Sequence, residues 1–238
     1  MSGETVEPRT DCIRCGECCQ GSSPTLQMED VPILADGFIA RTDVYTIRAG
    51  ELVHDNIHDR PKITQEEIIK VREKEVGGGC LYFDEVQKSC KIYAHRPSQC
   101  KALTCWDLDP FMGVYNGPKA SRNEIIRDKT LIGLIQEHER KCNYDRLDGC
   151  VKQIETGGER AVERVLEVLK FDYHLRPFVS DKLGIESGEM DFIFGRPLTE
   201  TIIMFGLKVD REPDGSFLLT TLDPQQTSTP QGKSLKGP

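Results

Sequence analysis

The sequence lacks long apolar runs and the motifs of several common enzyme classes. Only 37% of its 238 residues are hydrophobic, and no stretch approaches the 18 apolar residues of a transmembrane-helix candidate. The first residues are polar and charged, without the apolar core of a secretory signal. No G-x-G-x-x-G, G-x-S-x-G or H-E-x-x-H motif occurs, so dinucleotide-binding, hydrolase and zincin interpretations lack their residues. We therefore expect a cytoplasmic protein with no membrane partner.

Runs of basic residues are also missing. The chain has 31 lysines and arginines against 39 aspartates and glutamates, a formal net charge of −8. Proteins that bind nucleic acid through cysteine-rich modules normally carry a basic patch that neutralises phosphates. The sequence therefore predicts no nucleic-acid partner.

Cysteine is what the sequence has in quantity, with 10 residues in all. One group has the spacing C-x2-C-x2-C-C, and a second is spread over a later stretch; together they comprise Cys12, Cys15, Cys18 and Cys19, then Cys80, Cys90, Cys100 and Cys105. The first three cysteines repeat the opening of the bacterial ferredoxin run, but Ser22 stands where that run has its fourth cysteine. The missing ligand must then come from the second group. Without a secretory signal, thiols are expected to stay reduced and available for metal.

The chain resembles the CxxCxxCC cysteine-cluster family, the YkgJ-like zinc- or iron-chelating proteins. The residues that carry the resemblance are Cys12-Ile-Arg-Cys15-Gly-Glu-Cys18-Cys19, Cys80-Leu-Tyr-Phe, Cys90-Lys-Ile-Tyr, Arg96-Pro97 and Cys100. It implies metal binding, with zinc or iron left open. A more distant relative, flagellin lysine-N-methylase, is an enzyme. The resemblance therefore also admits an iron–sulfur-dependent group-transfer catalyst.

Zinc and an iron–sulfur cluster both suit these ligands. Eight thiolates divide evenly into two four-ligand sites, and each such site could hold a zinc ion or a [4Fe–4S] cluster with the same net charge. Zinc prefers closed tetrahedral ligation, whereas the C-x2-C-x2-C opening is commoner for clusters. We favour a [4Fe–4S] cluster, and zinc is the alternative. Whether the chain has one metal site or two is left open.

Cys18 and Cys19 are adjacent in the sequence. Neighbouring side chains of an extended segment point to opposite faces, so we expect these two thiols not to share one ion. Cys19 would then belong to a second site or remain a reactive thiol.

Four further residues are weaker candidates as ligands. His54 and His58 are four apart, a spacing that suits a metal on a helix, but the asparagine and proline nearby favour a loop. Cys142 and Cys150 lie outside the family pattern, where they could be a regulatory pair or extra ligands. We expect inert, buried thiols at helix ends.

Local patterns predict an α+β fold: a small cysteine-rich metal-binding module with short β-hairpins, followed by a helical region and a C-terminal β-hairpin. The predicted helices cover residues 27–35, a short segment from Arg96-Pro97 that ends or bends near Thr104, and residues 121–142, 159–171, 188–194 and 198–205. Hairpins are predicted within 44–53, between 80–83 and 90–93, and within 207–222, with a strand in 66–74. The glycines at 77–79 should let the backbone approach closely whatever Cys80 binds.

The same patterns divide the chain into three parts. We expect the cysteine-cluster module at residues 1–118, the helical region with its hairpin at 119–222, and a disordered tail at 223–238. The predicted function is metal binding through clustered thiolates.

Overall fold

A computed structural model of the chain describes residues 13–75 and 78–222. Cys12 and the predicted tail lie outside the described residues. Within these ranges the chain forms helices and short antiparallel strand pairs, with a hairpin near the C-terminal end, so the predicted α+β class is confirmed. No helix in the described ranges is long and apolar enough to cross a membrane.

Most of the helices are short. In chain order they are α1 (Glu17–Gly21), α2 (Val31–Ala35), α3 (Ser98–Ala102), α4 (Asp109–Tyr115), α5 (Arg122–Ile125), α6 (Lys129–Cys142), α7 (Tyr144–Lys152), α8 (Ile154–Gly157), α9 (Glu159–Leu183), α10 (Met190–Phe194) and α11 (Leu198–Thr201). Single turns of 3-10 helix occur at Met28–Asp30, Arg41–Asp43, Tyr93–His95, Ser187–Glu189 and Ile202–Phe205. The strands are β1 (Val44–Ile47), β2 (Leu52–Asp55), β3 (Arg60–Ile63), β4 (Ile68–Val71), β5 (Phe83–Asp84), β6 (Ser89–Cys90), β7 (Leu207–Arg211) and β8 (Phe217–Thr221).

The strands pair two by two, as β1–β4, β2–β3, β5–β6 and β7–β8, all antiparallel. The predicted hairpin within 44–53 is therefore wrong, because β1 and β2 belong to different pairs. β4 offers β1 the fully buried residues Ile69 and Val71, whereas β2 is largely exposed. The burial of apolar side chains, which dominates folding energetics, thus outweighs proximity in the sequence. The hairpins predicted around 80–93 and 207–222 are both present.

The single helix predicted over 121–142 is two helices, α5 and α6. Ser121 and Glu124 form a capping box at the start of α5, and the Asp128 carboxylate accepts a hydrogen bond from the Leu131 N–H at 2.9 Å to start α6. Caps of this kind satisfy the free N–H groups of a first turn, so a new helix begins where the pattern suggested continuation. The helix predicted at 159–171 extends as α9 to Leu183.

The main hydrophobic cluster contains buried side chains from both sides of the predicted boundary at residue 118. Leu26, Ile39 and Ile69 come from the cysteine-rich part, and Ile126 and Phe192 from the helical part. The two parts therefore share one core, while their division into separate domains stays a prediction.

Asp172 is the centre of a buried polar network. Its carboxylate, fully buried, accepts hydrogen bonds from His138 Nε2 at 2.7 Å, Arg176 Nη2 at 2.9 Å and the Leu198 N–H at 2.8 Å. Burial lowers the pKa of His138, and its Nδ1 has no hydrogen-bond partner among the described residues, so the neutral ring suits this site. The network ties α6, α9 and α11 together.

Candidate metal centre

Two cysteines of the first group, Cys18 and Cys19, lie on α1. Gly16 has a left-handed backbone conformation (φ 84°) and lies directly against the Phe83 ring. A Cβ atom at this position would lie 2.7 Å from Phe83 Cε2 and would also meet Cζ, which is closer than side chains pack. Glycine is therefore needed here both for the turn and for the close packing that places Cys18 and Cys19 on α1.

The Gly16→Ala variant tests that positioning. We expect a loss of about 2–4 kcal/mol in the free energy of unfolding, from about 1 kcal/mol of left-handed strain and the rest from overpacking against Phe83. Bound metal should fall with it because α1 carries two of the thiols. Gly37→Ala is the matched control: its φ is 76°, and no described atom lies within 4 Å of the added Cβ. Urea unfolding that gave equal losses for both variants would contradict the packing role.

The Cys80 segment contacts α1 through the main chain. The Cys80 N–H donates a hydrogen bond to the Cys19 carbonyl at 2.7 Å. Gly79 lies so close that an added Cβ would be 3.0 Å from that same carbonyl oxygen. This close backbone contact at Gly79 joins cysteines that are distant in the sequence, and the expected approach of the glycines to whatever Cys80 binds stays a prediction.

Cys90 and Cys100 reach the same region from β6 and α3. Cys90 pairs with Phe83 across the β5–β6 hairpin. α3 begins where the buried Asp30 carboxylate accepts hydrogen bonds at 2.8 Å from both the N–H and the hydroxyl of Ser98. The helix ends at Ala102, close to the predicted end, so Cys105 lies beyond it.

Five of the eight predicted cysteines line one cleft with a volume of about 990 Å³: Cys18, Cys19, Cys80, Cys90 and Cys100. Cys15 is half-buried and Cys105 exposed, and neither is part of the lining. Cys12 is outside the described residues. The structure therefore brings together thiols from four separate segments of the chain.

The helical backbone of α1 changes the expectation for Cys18 and Cys19. Their Sγ atoms lie 3.9 Å apart, so the prediction that the two side chains point in opposite directions is wrong. Zn–S bonds of about 2.3 Å in a tetrahedron separate the sulfurs by about 3.8 Å, so this pair has the spacing of two ligands of one ion. Among residues 13–75 and 78–222, no three Cys, His, Asp or Glu side chains are grouped for a single ion. Whether the two thiols play different roles stays a prediction.

The thiols of the cleft act on one another electrostatically. A hydrogen bond with Cys19 lowers the pKa of Cys18 to about 6, and the same bond, together with burial, raises the pKa of Cys19. Burial, followed by the charges of neighbouring thiols, raises the pKa of Cys100. Several thiolates at this place therefore repel each other, and a metal cation would offset that repulsion.

The weaker ligand candidates are accounted for elsewhere. His54 Nε2 pairs with Asp59 at 3.0 Å and His58 Nδ1 with Asp55 at 2.8 Å, around the β2–β3 connection. The predicted loop is confirmed for His58, whereas His54 lies on β2. The Cys142 thiol is fully buried at the end of α6, as expected. Cys150 lies in α7 and is half-buried.

Most of the other side chains that line the cleft carry no sequence signal of a functional site. They include the aromatic residues Trp106, Phe111 and Tyr115 and the basic residues Lys62 and Lys119. Two of these residues lie on α4, one lies on β3 and two lie outside any helix or strand, so no single sequence pattern marks them. Only folding brings them to the thiols.

Residues 11–118 match the model of the CxxCxxCC family, described as a "Putative zinc- or iron-chelating domain". The expected family resemblance is confirmed over these residues, and the match supports metal binding by this part of the chain. An uncharacterized protein of Methanocaldococcus jannaschii is 31% identical over 90 residues, which is 38% of this chain and 41% of that relative. The chain thus spans less than half of that relative's length. No solved structure matches the chain.

Proposed function

We propose that this protein holds a [4Fe–4S] cluster through the cysteines of the cleft. The observation that carries the proposal is the convergence of α1, the Cys80 segment, β6 and α3 on one cavity. Cys18, Cys80, Cys90 and Cys100 form the core of the site, with Cys19 beside Cys18. Cys12, Cys15 and Cys105 complete the set of predicted ligands and remain candidates for a second site.

The donor set fits this group chemically. Thiolates are the ligands that zinc and iron–sulfur clusters share, and the other protein ligands, imidazole and carboxylate, are engaged in pairs of their own near the cleft. The hydrogen bond with Cys19 is the main cause of the lowered pKa of Cys18, and the charge of Arg96 adds to it. Burial raises the pKa of Cys100, and Arg96 offsets only a small part of that rise. A guanidinium beside the thiols also suits a centre whose net charge with four thiolates is negative.

The spread of the thiols favours a cluster over a single zinc ion. One tetrahedral ion needs its four sulfurs within about 3.8 Å of one another. In the described part of the chain no three Cys, His, Asp or Glu side chains are grouped for a single ion, although the Cys18 and Cys19 sulfurs lie 3.9 Å apart. The ligands of a cluster are farther apart because each thiolate binds a different iron. Zinc remains the alternative.

A cluster-dependent group-transfer enzyme is the second candidate function. The observation that favours it is the volume of the cleft, about 990 Å³, which leaves room for a substrate beside the thiols. A carrier whose ligands closed entirely around its metal would have no use for this space.

Purification without oxygen tests the proposed function. We expect a brown protein with broad visible absorption, and about four iron and four acid-labile sulfide per chain for one cluster. A colourless protein with stoichiometric zinc would select the alternative. Protein that carries neither metal, and takes up neither on reconstitution with iron and sulfide or with zinc, would refute the proposal.

A further inference from the structure

The cleft is larger than a metal centre requires. Its volume of about 990 Å³ is at the upper end of the range of roughly 300–1,000 Å³ for small-molecule pockets. Besides the thiols, its walls include residues of β2, β3, α4 and the segment that follows α4. We call the part of the wall formed by Lys62, Phe111, Tyr115 and Lys119 the distal wall.

Apart from the thiols, the charged residues that line the cleft are mainly cationic, although the chain is acidic overall. Of the described lining residues seven are basic and two acidic: Arg14, Lys62, Lys70, Lys88, Arg96, Lys101 and Lys119 against Asp55 and Glu66. The whole chain has 31 basic and 39 acidic residues. A cleft lined by one sign of charge concentrates ligands of the opposite sign.

Not all of these cations are equally available to a ligand. Lys70 forms an ion pair with Glu73 and donates a hydrogen bond to the Ser23 hydroxyl at 2.9 Å, so its charge is already balanced. Lys119 donates only to main-chain carbonyls, including that of Gly117 at 2.8 Å. Its ammonium lines the cleft without an ion pair among the described residues, and the Glu66 carboxylate offsets part of its charge.

On the distal wall two of the cations repel each other. Burial lowers the pKa of Lys119, the charge of Glu66 partly offsets this, and the charge of Lys62 lowers the pKa by a smaller effect. An anion that binds between the two ammonium groups would remove this repulsion. Lys62 lies on β3 and its side chain is exposed, so it is free of any role in the core.

Aromatic side chains supply the apolar surface of the cleft. Trp106, the one tryptophan of the chain, is 39% exposed, and Tyr93 is 37% exposed. Phe111 and Tyr115 stack with their ring centroids 5.9 Å apart on α4. The guanidinium of Arg96 lies 3.7 Å from the centroid of the Tyr93 ring. Apolar and aromatic walls with a few convergent charges are typical of pockets for small organic ligands.

We propose that the cleft binds a small organic anion with an aromatic body, whose acidic group lies between Lys62 and Lys119 and whose rings contact the aromatic walls. The inference rests on the proposed function only for its statement that the ligand lies beside a metal centre. The charge and the aromatic lining are properties of the described side chains alone.

A matched pair of fluorescent probes tests the inference on the full, metal-loaded protein. 8-Anilinonaphthalene-1-sulfonate has the required rings and charge, and N-phenyl-1-naphthylamine has the same rings without the sulfonate. We expect the sulfonate probe to bind at one site per chain, about tenfold or more tighter than the neutral probe, and to weaken with added salt. Energy transfer from Trp106 to the bound probe, lost in Trp106→Phe, would place it in the cleft.

Two charge reversals complete the test. Lys62→Glu should weaken binding of the sulfonate probe by about tenfold and leave the neutral probe unchanged, because a like charge would face the sulfonate. Lys182→Glu is the control, since Lys182 is exposed near the end of α9 and is not part of the cleft. If Lys62→Glu does not fold, Lys62→Met replaces it, with a smaller expected loss of the same sign.

Three results would overturn the inference: no binding of the sulfonate probe, equal affinity for both probes, or equal weakening by the Lys62 and Lys182 variants. Iron, zinc and sulfide are measured on the same samples. Metal-free protein that still selects the anionic probe would refute the proposed function and leave the cleft as an anion site. Metal-loaded protein that binds both probes equally well would refute the inference and leave the proposed function standing.

Discussion

Serine in place of Cys100 is expected to strip the protein of most of its bound metal. Cys100 lies on α3 in the wall of the cleft, and α3 is fixed by the buried Asp30 carboxylate. The serine hydroxyl stays protonated at neutral pH, so it replaces a thiolate poorly as a ligand. Changes in the shell outside metal ligands already cost about 10- to 100-fold in affinity, so loss of a ligand should cost at least about 100-fold. Metal analysis after dialysis against a chelator measures the effect.

Cys150→Ser is the matched control because Cys150 is also half-buried but lies in α7, outside the cleft. It should retain the metal of the unmodified protein. Retention of full metal by Cys100→Ser, Cys80→Ser and Cys90→Ser alike would contradict the assignment of the site. A loss equal in all the cysteine variants, the control included, would point to general instability and would equally count against it.

Asp172→Ala should be the most destabilising single change away from the cleft. The carboxylate accepts hydrogen bonds from two side chains and one main-chain N–H. Its removal leaves His138 buried without this partner, and leaves Arg176 with only the longer contacts to Asp191 and the Met190 carbonyl, both at 3.3 Å. Removal of one member of a buried charged pair costs about 3–5 kcal/mol. Urea unfolding followed by circular dichroism should show a loss of this size in the free energy of unfolding.

The control for this variant is Asp148→Ala. Asp148 pairs with Lys152 on the surface of α7, where the side chains are 38% and 74% exposed. Exposed pairs of this kind contribute about 0–1 kcal/mol. If the two aspartate variants differed by less than about 1 kcal/mol, Asp172 would not have the central role that its contacts indicate.

The sequence predicts those elements whose signals are local. The terminal hairpin is recognised from the Pro213-Asp-Gly215 turn between two alternating segments, and β7 and β8 pair as expected. The predicted hairpin that contains β1 is wrong because β1 pairs with β4, and the β2–β3 pair lies between them in the sequence. That choice depends on burial of Ile69 and Val71, which adjacent residues do not reveal. The helices α4 and α7 were not predicted, although Asn143 caps the start of α7 by accepting a hydrogen bond from the Arg146 N–H at 2.7 Å.

The candidate site, like the fold, is predicted from the sequence only in part. Spacing identifies the cysteines, and the structure gathers Cys18, Cys80, Cys90 and Cys100 on one cleft, but their assignment as ligands remains a prediction. The geometry of Cys18 and Cys19 was not predictable from adjacency, because it depends on whether the backbone is extended or helical. The cationic and aromatic walls come from distant residues with no common pattern, so only the folded chain reveals them.

The main-chain hydrogen bond between Cys80 and Cys19 bears on how metal is captured. An unstructured chain must close a loop of about 60 residues before these two segments can share a metal, at an entropic cost of about 3–4 kcal/mol. Here the backbone has already closed that loop by contacts that involve no thiol. An incoming metal therefore encounters thiols that are already neighbours, and its uptake should be limited by its supply rather than by a search among chain conformations.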